Sequence, residues 1–181
     1  LFEERLELLA ALVAEQPVTW SGTLRSSLSD QRVWPRAQAS ADGRRMPVWV
    51  GVGGTPQSVV RTARHGFDLM LAVIGGSPKA FAPFAILYRD AMGRFGHEGG
   101  RVGLHSPGLV AETDAEAREL LRPHWITQRN RIGAERGWGP ASVREFDDAA
   151  SDDGALFVGS PETVAAKIVR AVEDLGLDRF D

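Results

Sequence analysis

The sequence predicts an α/β fold built around a parallel sheet, and two observations carry this prediction. Residues 48–52 and 69–74 are continuous apolar runs, the pattern of strands that are covered on both faces, as parallel strands are. A strand, a glycine, a Ser or Thr, a proline and a helix then follow one another three times, with the glycines at positions 54, 76 and 159. This alternation favours right-handed crossovers and suits either an open doubly wound sheet or part of a (β/α) barrel.

The first 45 residues begin with a helix and continue in a long polar segment. Apolar residues recur at helical spacing in the first helix: Phe2, Leu6, Leu9 and Val13. Because the chain begins inside an element, we expect it to be an internal fragment of a longer protein. The segment 17–45 is long for a loop in a compact domain, which indicates an excursion near a functional mouth.

The next two units follow the same order. After strand 48–52, Thr55 is a predicted N-cap with Pro56 at the first helical position, and the helix ends at Gly66. Strand 69–74 closes with a glycine pair, and a second helix starts at Ser77 and runs to about residue 92.

The last third contains a broken strand and a third unit. Residues 102–110 read as a strand that a Pro-Gly pair at 107–108 should bend or bulge. A capping box at 113–116 opens a helix that reaches about Ile132. Strand 156–158 then leads through Ser160, a predicted N-cap like Ser77, to a helix that stops at Gly176, and residues 177–181 open another strand.

Composition excludes several classes of function. The 181 residues carry 21 Lys and Arg against 24 Asp and Glu, so no basic excess is available for binding nucleic acid. No apolar run approaches the roughly 20 residues that cross a bilayer, so we expect a soluble protein without a membrane partner. The absence of cysteine is compatible with a cytoplasmic location. The four histidines match no compact metal motif, and no metal site is predicted.

The most specific feature is the glycine-rich turn that contains Gly53, Gly54, Thr55 and Ser58. A strand end that feeds a helix N-terminus offers unpaired amides and the positive end of a helix dipole, and glycine lets an anion approach the backbone. We therefore predict a phosphate site at these four residues, with plain N-capping by Thr55 as the alternative. Neither a Walker A sequence nor a dinucleotide fingerprint fits the spacing, so a single phosphate is expected.

Other polar residues carry weaker signals. His105 lies in a strand near the point where that strand leaves the sheet, and it could contact substrate or serve as a structural histidine. Arg129, Asn130 and Arg131 could meet an anionic substrate or form a solvated helix face. No triad or carboxylate pair can be assembled from spacing, so the catalytic residues stay unknown. A protein without such groups suits a cofactor that supplies the chemistry.

Five segments together resemble the C-terminal portion of the bacterial luciferase-like flavin-dependent oxidoreductases, the luciferase-like monooxygenase family. The segments are FEERLELL at 2–9, PVTWSG at 17–22, PVWVGVGGTP at 47–56, NRIG at 130–133 and FVGSPE at 157–162. The resemblance implies a (β/α)₈ TIM-barrel fold, here an incomplete barrel with roughly the last four βα units in one domain spanning residues 1–181. Half a barrel leaves two unpaired sheet edges, so the isolated chain is expected to be inactive and to associate with another chain.

The resemblance also implies a cofactor and a reaction. In this family FMN, or a deazaflavin in relatives, lies at the C-terminal mouth of the barrel, and its phosphate would meet Gly53, Gly54, Thr55 and Ser58. His105 would face the flavin ring or the substrate. The expected activity is that of an FMN-dependent monooxygenase, which uses reduced flavin, oxygen and a small-molecule substrate and which forms a homo-oligomer at full length.

Two other functions stay open. A deazaflavin on the same fold would give hydride transfer without oxygen. A non-catalytic βα-repeat module would bind a phosphorylated metabolite or a partner chain and would show no preference for flavin. The absorbance spectrum of the loaded protein separates the first alternative, and a flavin titration separates the second.

Overall fold

The structure is a computed structural model that describes residues 1–13, 17–35, 37–38 and 46–181. The helices are α1 Phe2–Leu12, α2 Pro56–Arg64, α3 Ala82–Arg94, α4 Asp114–Arg136, α5 Val143–Ala149 and α6 Pro161–Leu175. The strands are β1 Val18–Trp20, β2 Leu28–Gln31, β3 Trp49–Val52, β4 Asp68–Ala72, β5 Val102–His105, β6 Gly108–Val110, β7 Phe157–Gly159 and β8 Arg179–Phe180. A 3₁₀ turn, Pro78–Phe81, precedes α3.

The main sheet is parallel and contains β3, β4, β5 and β8 in that order. The helix α2 connects β3 to β4, and α3 connects β4 to β5. This arrangement confirms the predicted α/β fold of the barrel type. The strand predicted at the C-terminal end is also present, because β8 pairs with β5 through Gly103 and Leu104.

One face of the main sheet packs against α2 and α3. Its residues alternate along the strands and are buried: Val50, Val52, Leu69, Leu71, Val102 and Leu104. Tyr88 of α3 closes this core, and its hydroxyl donates to the carbonyl oxygen of Phe67 at 2.8 Å. Burial raises the pKa of the Tyr88 phenol, so this donor keeps its proton across the physiological range.

The opposite face of the sheet corresponds to the inside of a barrel, and the strand register arranges it in levels. Gly51, Met70, Gly103 and Arg179 lie side by side at one level. Ala72 and His105 share the next level toward the carboxyl ends of the strands. A Cβ at position 103 would lie 2.8 Å from Met70 and 2.9 Å from Trp49, so any larger residue there would have to displace these side chains. The face is therefore filled by large side chains at its amino end and lined by small residues at its carboxyl end.

The strand predicted over 102–110 is broken at the expected place, but its halves enter different sheets. β5 belongs to the main sheet, whereas β6 pairs with β7 in a separate two-stranded parallel sheet. Ser106 holds the junction: its amide donates to the Asp181 carbonyl at 3.1 Å, and its hydroxyl lies within hydrogen-bond distance of the Val73 and Ala155 carbonyls. The third predicted unit thus contributes its strand, β7, to the separate two-stranded sheet and not to the main sheet.

A second apolar cluster lies on the outer face of the β6–β7 sheet. It contains Ala117, Phe146, Ala150, Leu156 and Val158. The helix α4 runs to Arg136, one turn beyond the predicted end, and stops at Gly137 in the left-handed conformation. The sequence analysis did not predict α5, although Ser142 and Glu145 form a complete capping box at its start.

The long segment after α1 contains structure that its polar sequence did not predict. Strands β1 and β2 pair as an antiparallel hairpin. Glu4 of α1 accepts hydrogen bonds from the amides of Thr23 and Leu24, and these bonds hold the pKa of its carboxyl below the usual value. The rest of the predicted excursion, at residues 36 and 39–45, lies outside the described residues.

Candidate functional site

The turn between β3 and α2 presents polar donors to the carboxyl edge of the main sheet. Thr55 is the residue that precedes α2, and its hydroxyl donates to the Ser58 hydroxyl at 2.8 Å. Within the described residues, the Thr55 side chain accepts no capping hydrogen bond, and the amides of Thr55 and Gln57 have no acceptor. Both residues are exposed. The turn therefore offers two amides and two hydroxyls at the positive end of a helix.

Glycine is required in this turn for conformational reasons. Gly54 has φ +108°, a region that residues with a Cβ rarely adopt. The rings of Phe81 and Phe84 pack beside its Cα, at 3.6 to 3.8 Å from the position that a Cβ would take. At Gly53 a Cβ would meet no atom within 4 Å, so this backbone faces open space. An anion can approach the chain at Gly53, while Phe81 and Phe84 hold the shape of the turn.

The equivalent turn before α6 has the same residue types but is filled. Ser160 accepts a hydrogen bond from the Thr163 amide at 3.3 Å and so caps α6, as predicted. The Ser160 amide donates to the carboxylate of Asp114 at 2.6 Å, and the Thr163 hydroxyl donates to the same carboxylate at 3.0 Å. The Ser160 amide, the Thr163 amide and both hydroxyls of this turn are therefore already engaged.

The middle turn differs from its prediction. Ser77 occupies the position before the 3₁₀ turn, but within the described residues its side chain, like that of Thr55, accepts no capping hydrogen bond, so the prediction of N-capping is wrong for both residues. Four consecutive residues, Pro78–Phe81, form this tighter turn before α3 begins. A 3₁₀ turn has a different hydrogen-bond spacing from an α-helix, which removes the geometry that an N-cap side chain needs.

His105 lies at the carboxyl end of β5, on the inner face and at the level of Ala72. Gly53 follows Val52, which pairs with Leu71, so Gly53 continues the same level on β3. Two strand spacings separate Gly53 from His105, which places their backbones roughly 10 Å apart. His105 is exposed, and its ring makes no hydrogen bond to another described residue. The imidazole is available to a bound molecule.

The small residues between these two positions leave room for a flat ligand. Gly51, Gly53 and Ala72 line the inner face on the side of the phosphate turn. Ile74 lies just beyond β4 with 70% of its surface exposed, and it supplies an apolar contact at the same edge. Amide and hydroxyl donors at one end and a glycine-lined apolar surface at the other fit a phosphorylated planar cofactor.

Of the three remaining candidate residues, Arg131 is exposed, and the other two have structural partners. Arg129 donates to Glu145 at 2.9 Å and lies 4.4 Å from the centre of the Trp138 ring, and Asn130 accepts from the Ala141 amide. This segment of α4 thus anchors residues 138–145, and it lies on a helix that packs against the second cluster.

Sequence reasoning missed the residues that separate the open turn from the filled one. The contact of Asp114 with Ser160 spans 46 positions, and no local pattern reveals it. Phe81 and Phe84 could be recognised only as apolar helix residues, because their contact with Gly54 depends on how α3 packs against α2.

The sequence matches the model of the luciferase-like monooxygenase family over residues 1–179. The chain belongs to this family. A comparison with curated proteins found no match. None of the helices in the described ranges combines the length and apolar character that crossing a bilayer requires.

Solved structures show the same fold. The crystal structure of monooxygenase RslO1 from Streptomyces bottropensis is 25% identical, with a TM-score of 0.71 over 99% of this chain and 52% of that protein. An F420-dependent secondary alcohol dehydrogenase, in complex with an F420-acetone adduct, has a TM-score of 0.70 at 13% identity, over 98% of this chain and 53% of that one.

A third similar structure is the oxygenating constituent of 3,6-diketocamphane monooxygenase from Pseudomonas putida, in complex with FMN. It is 21% identical, with a TM-score of 0.56 over 77% of this chain and 42% of that one. The chain thus spans about half the length of monooxygenase RslO1 and of the F420-dependent dehydrogenase, each of which it matches over nearly its full length.

Proposed function

We propose that this chain forms the cofactor-phosphate side of an FMN-dependent monooxygenase. The observation that carries the proposal is the open turn before α2, where Thr55 and Ser58 hold a hydroxyl pair beside free amides. Gly53 and Gly54 let the phosphate approach the backbone of this turn. Membership of the luciferase-like monooxygenase family supports flavin chemistry in particular.

In this proposal the protein binds and orients, and the cofactor reacts. Reduced FMN would supply the electrons that activate oxygen toward a small-molecule substrate. The hydroxyls of Thr55 and Ser58 and the amide of Gln57 would donate to phosphate oxygens, while Gly51, Gly53 and Ala72 leave space along the inner face. Ile74 would exclude water from the edge of the pocket.

His105 is proposed as a substrate contact. Its exposed ring lies at the same level as Gly53, about two strand spacings away, which suits a group that meets the molecule beside the cofactor. We expect His105→Gln to raise KM for the substrate and to leave FMN affinity unchanged. A steady-state comparison of KM with the FMN dissociation constant checks this, and an equal loss of FMN affinity would move His105 to the cofactor.

A deazaflavin-dependent hydride transfer is the second candidate. The dehydrogenase that carries an F420 adduct matches this fold as well as monooxygenase RslO1 does. The phosphate turn suits both cofactors, since each carries a phosphoryl group. The absorbance spectrum of the protein purified with its cofactor distinguishes a flavin from a deazaflavin.

The deciding experiment is a fluorescence titration of the protein that contains this chain with FMN and, separately, with riboflavin. Riboflavin lacks the phosphate of FMN, so it loses the charge-assisted hydrogen bonds. Its binding should be weaker than that of FMN by about 1.5–3 kcal/mol per bond, or roughly tenfold to 150-fold in Kd. Equal binding of the two ligands would contradict the phosphate site. Binding of neither would contradict the flavin proposal and favour the deazaflavin or the non-catalytic module. Size-exclusion chromatography of the same protein tests the proposed homo-oligomer.

A further inference from the structure

At the start of α6, backbone and hydroxyl donors bind the carboxylate of Asp114, an anionic side chain of the same protein. The two carboxylate oxygens of Asp114 accept from the Ser160 amide at 2.6 Å and from the Thr163 hydroxyl at 3.0 Å. At the earlier turn the corresponding donors, the Thr55 amide and the Ser58 hydroxyl, have no acceptor among the described residues, although the Thr55 hydroxyl donates to Ser58. The two turns therefore have similar residues, and they differ in that, among the described residues, a carboxylate is bound at the turn before α6 and not at the turn before α2.

The close approach of Asp114 depends on glycine. A Cβ at Gly159 would lie 2.6 Å from the carboxylate oxygen that accepts from Ser160. The carboxylate thus approaches the backbone of Gly159 closely. The sequence predicts the same kind of approach for a phosphate at the turn before α2. The Thr163 amide is taken as well, because it donates to the Ser160 hydroxyl at 3.3 Å.

The charges around this turn favour an ionised carboxylate and oppose a second anion. The Ser160 amide and the Thr163 hydroxyl hold the pKa of Asp114 below its usual value, and Arg118 on the next turn of α4 acts in the same direction. The acidic residues nearest in sequence on the two helix starts are exposed: Glu112, Glu116 and Glu162. A phosphate would have to displace the negative charge of Asp114.

We infer that Asp114 determines which turn takes the phosphate of the cofactor, by closing the turn before α6. Barrel enzymes often hold phosphate at the turns that follow their last strands, so the use of an earlier turn needs a cause. Asp114 supplies it, because its carboxylate takes the Ser160 amide and the Thr163 hydroxyl and places a negative charge where the phosphate would lie. This role rests on the proposed phosphate site at Thr55 and Ser58, and it makes Asp114 a specificity-determining residue that touches neither cofactor nor substrate.

The test follows backbone amide signals of the ¹⁵N-labelled protein that contains this chain during a titration with inorganic phosphate. In the unmodified protein, phosphate should shift the Gln57 amide and leave Ser160 in place. In Asp114→Ala, the Ser160 amide should respond as well, at phosphate concentrations that leave it unshifted in the unmodified protein. Glu116→Ala, on the same exposed turn, is the matched control and should leave Ser160 unresponsive.

Asp114→Leu keeps the approximate size of the side chain and removes both acceptor oxygens, so it reports on the same question if the alanine variant fails to fold. A Ser160 shift in the unmodified protein at the phosphate concentration that shifts Gln57 would overturn the inference. A folded Asp114→Ala or Asp114→Leu whose Ser160 amide ignores phosphate would overturn it too. If Gln57 fails to respond in every protein, the proposed phosphate site fails instead, while Ser160 still reports whether Asp114 closes its turn.

Discussion

At the scale of single residues, Thr55 separates a binding role from a capping role. Its hydroxyl donates to Ser58 and accepts no amide of α2, so Thr55→Val removes no capping bond and should change the free energy of unfolding by less than about 0.5 kcal/mol. The same change should weaken FMN by about 1.5–3 kcal/mol, because a charge-assisted hydrogen bond to phosphate is lost. Isothermal titration with FMN and urea unfolding measure the two effects.

The chain contains a matched control for this prediction. Thr163 occupies the same position as Ser58 in the turn before α6, but its hydroxyl faces Asp114. Thr163→Val should leave FMN binding unchanged. A variant pair in which Thr55→Val binds FMN normally but unfolds more easily would show that Thr55 is only a structural residue.

At the scale of elements, α6 has two unlike faces. One face packs into the main core through Val164, Ala171 and Leu175, while Lys167 points toward the segment that precedes β7. The Lys167 ammonium donates to the carbonyls of Ser151 and Leu156 at 2.5 and 2.8 Å, and the side chain is only 6% exposed. Burial lowers the pKa of Lys167 to about 8. A neutral amine still has two N–H donors, so both carbonyls keep their partner after deprotonation.

Lys167 therefore makes stability depend on pH in a defined window. Between pH 8 and the ordinary value of 10.5, the unfolded chain binds more protons than the folded one, so the free energy of unfolding rises with pH there, by at most about 1.4 kcal/mol per unit. Above pH 10 the raised pKa of Tyr88 acts in the opposite direction. Urea unfolding from pH 8 to 10 should show the rise, and Lys167→Met should abolish it. A flat profile for both proteins would show that burial does not disfavour the charge.

The elements also show how far local sequence determines this fold. Continuous apolar runs predicted β3 and β4 because a strand covered on both faces excludes polar residues along its length. The separate β6–β7 sheet was not predictable, because it depends on contacts of Ser106 with Val73 and Ala155. These partners lie 33 and 49 positions from Ser106 in the sequence. The three glycine turns looked equivalent for the same reason. Only the packing of α4 against β7, the strand that leads into α6, brings Asp114 to one of them.

At the scale of the whole molecule, the charge of the inner face and the open edge of the main sheet determine which surface could pack against them. Trp49 lies there with the guanidinium carbons of Arg101 and Arg179 at 5.0 and 5.3 Å from its ring centre. Arg101 pairs with Asp68 at 2.6 Å and Arg179 with Asp181 at 2.8 Å, so this end of the face is charged but balanced. In the described residues β3 pairs only with β4, which leaves one edge of the main sheet open.

The same architecture limits what the 181 residues can bind when they are produced alone. Two hydroxyl bonds to phosphate contribute about 3–6 kcal/mol, and a Kd of 1 mM corresponds to about 4 kcal/mol. The inner face covers only one side of a flat ring, so little further affinity is available from it. We therefore expect FMN to bind the isolated chain with a Kd near the millimolar range, and riboflavin more weakly still. Equilibrium dialysis with both ligands checks this. Micromolar binding of FMN would show that the described half of the barrel carries contacts to the ring beyond Gly53, Ala72 and His105.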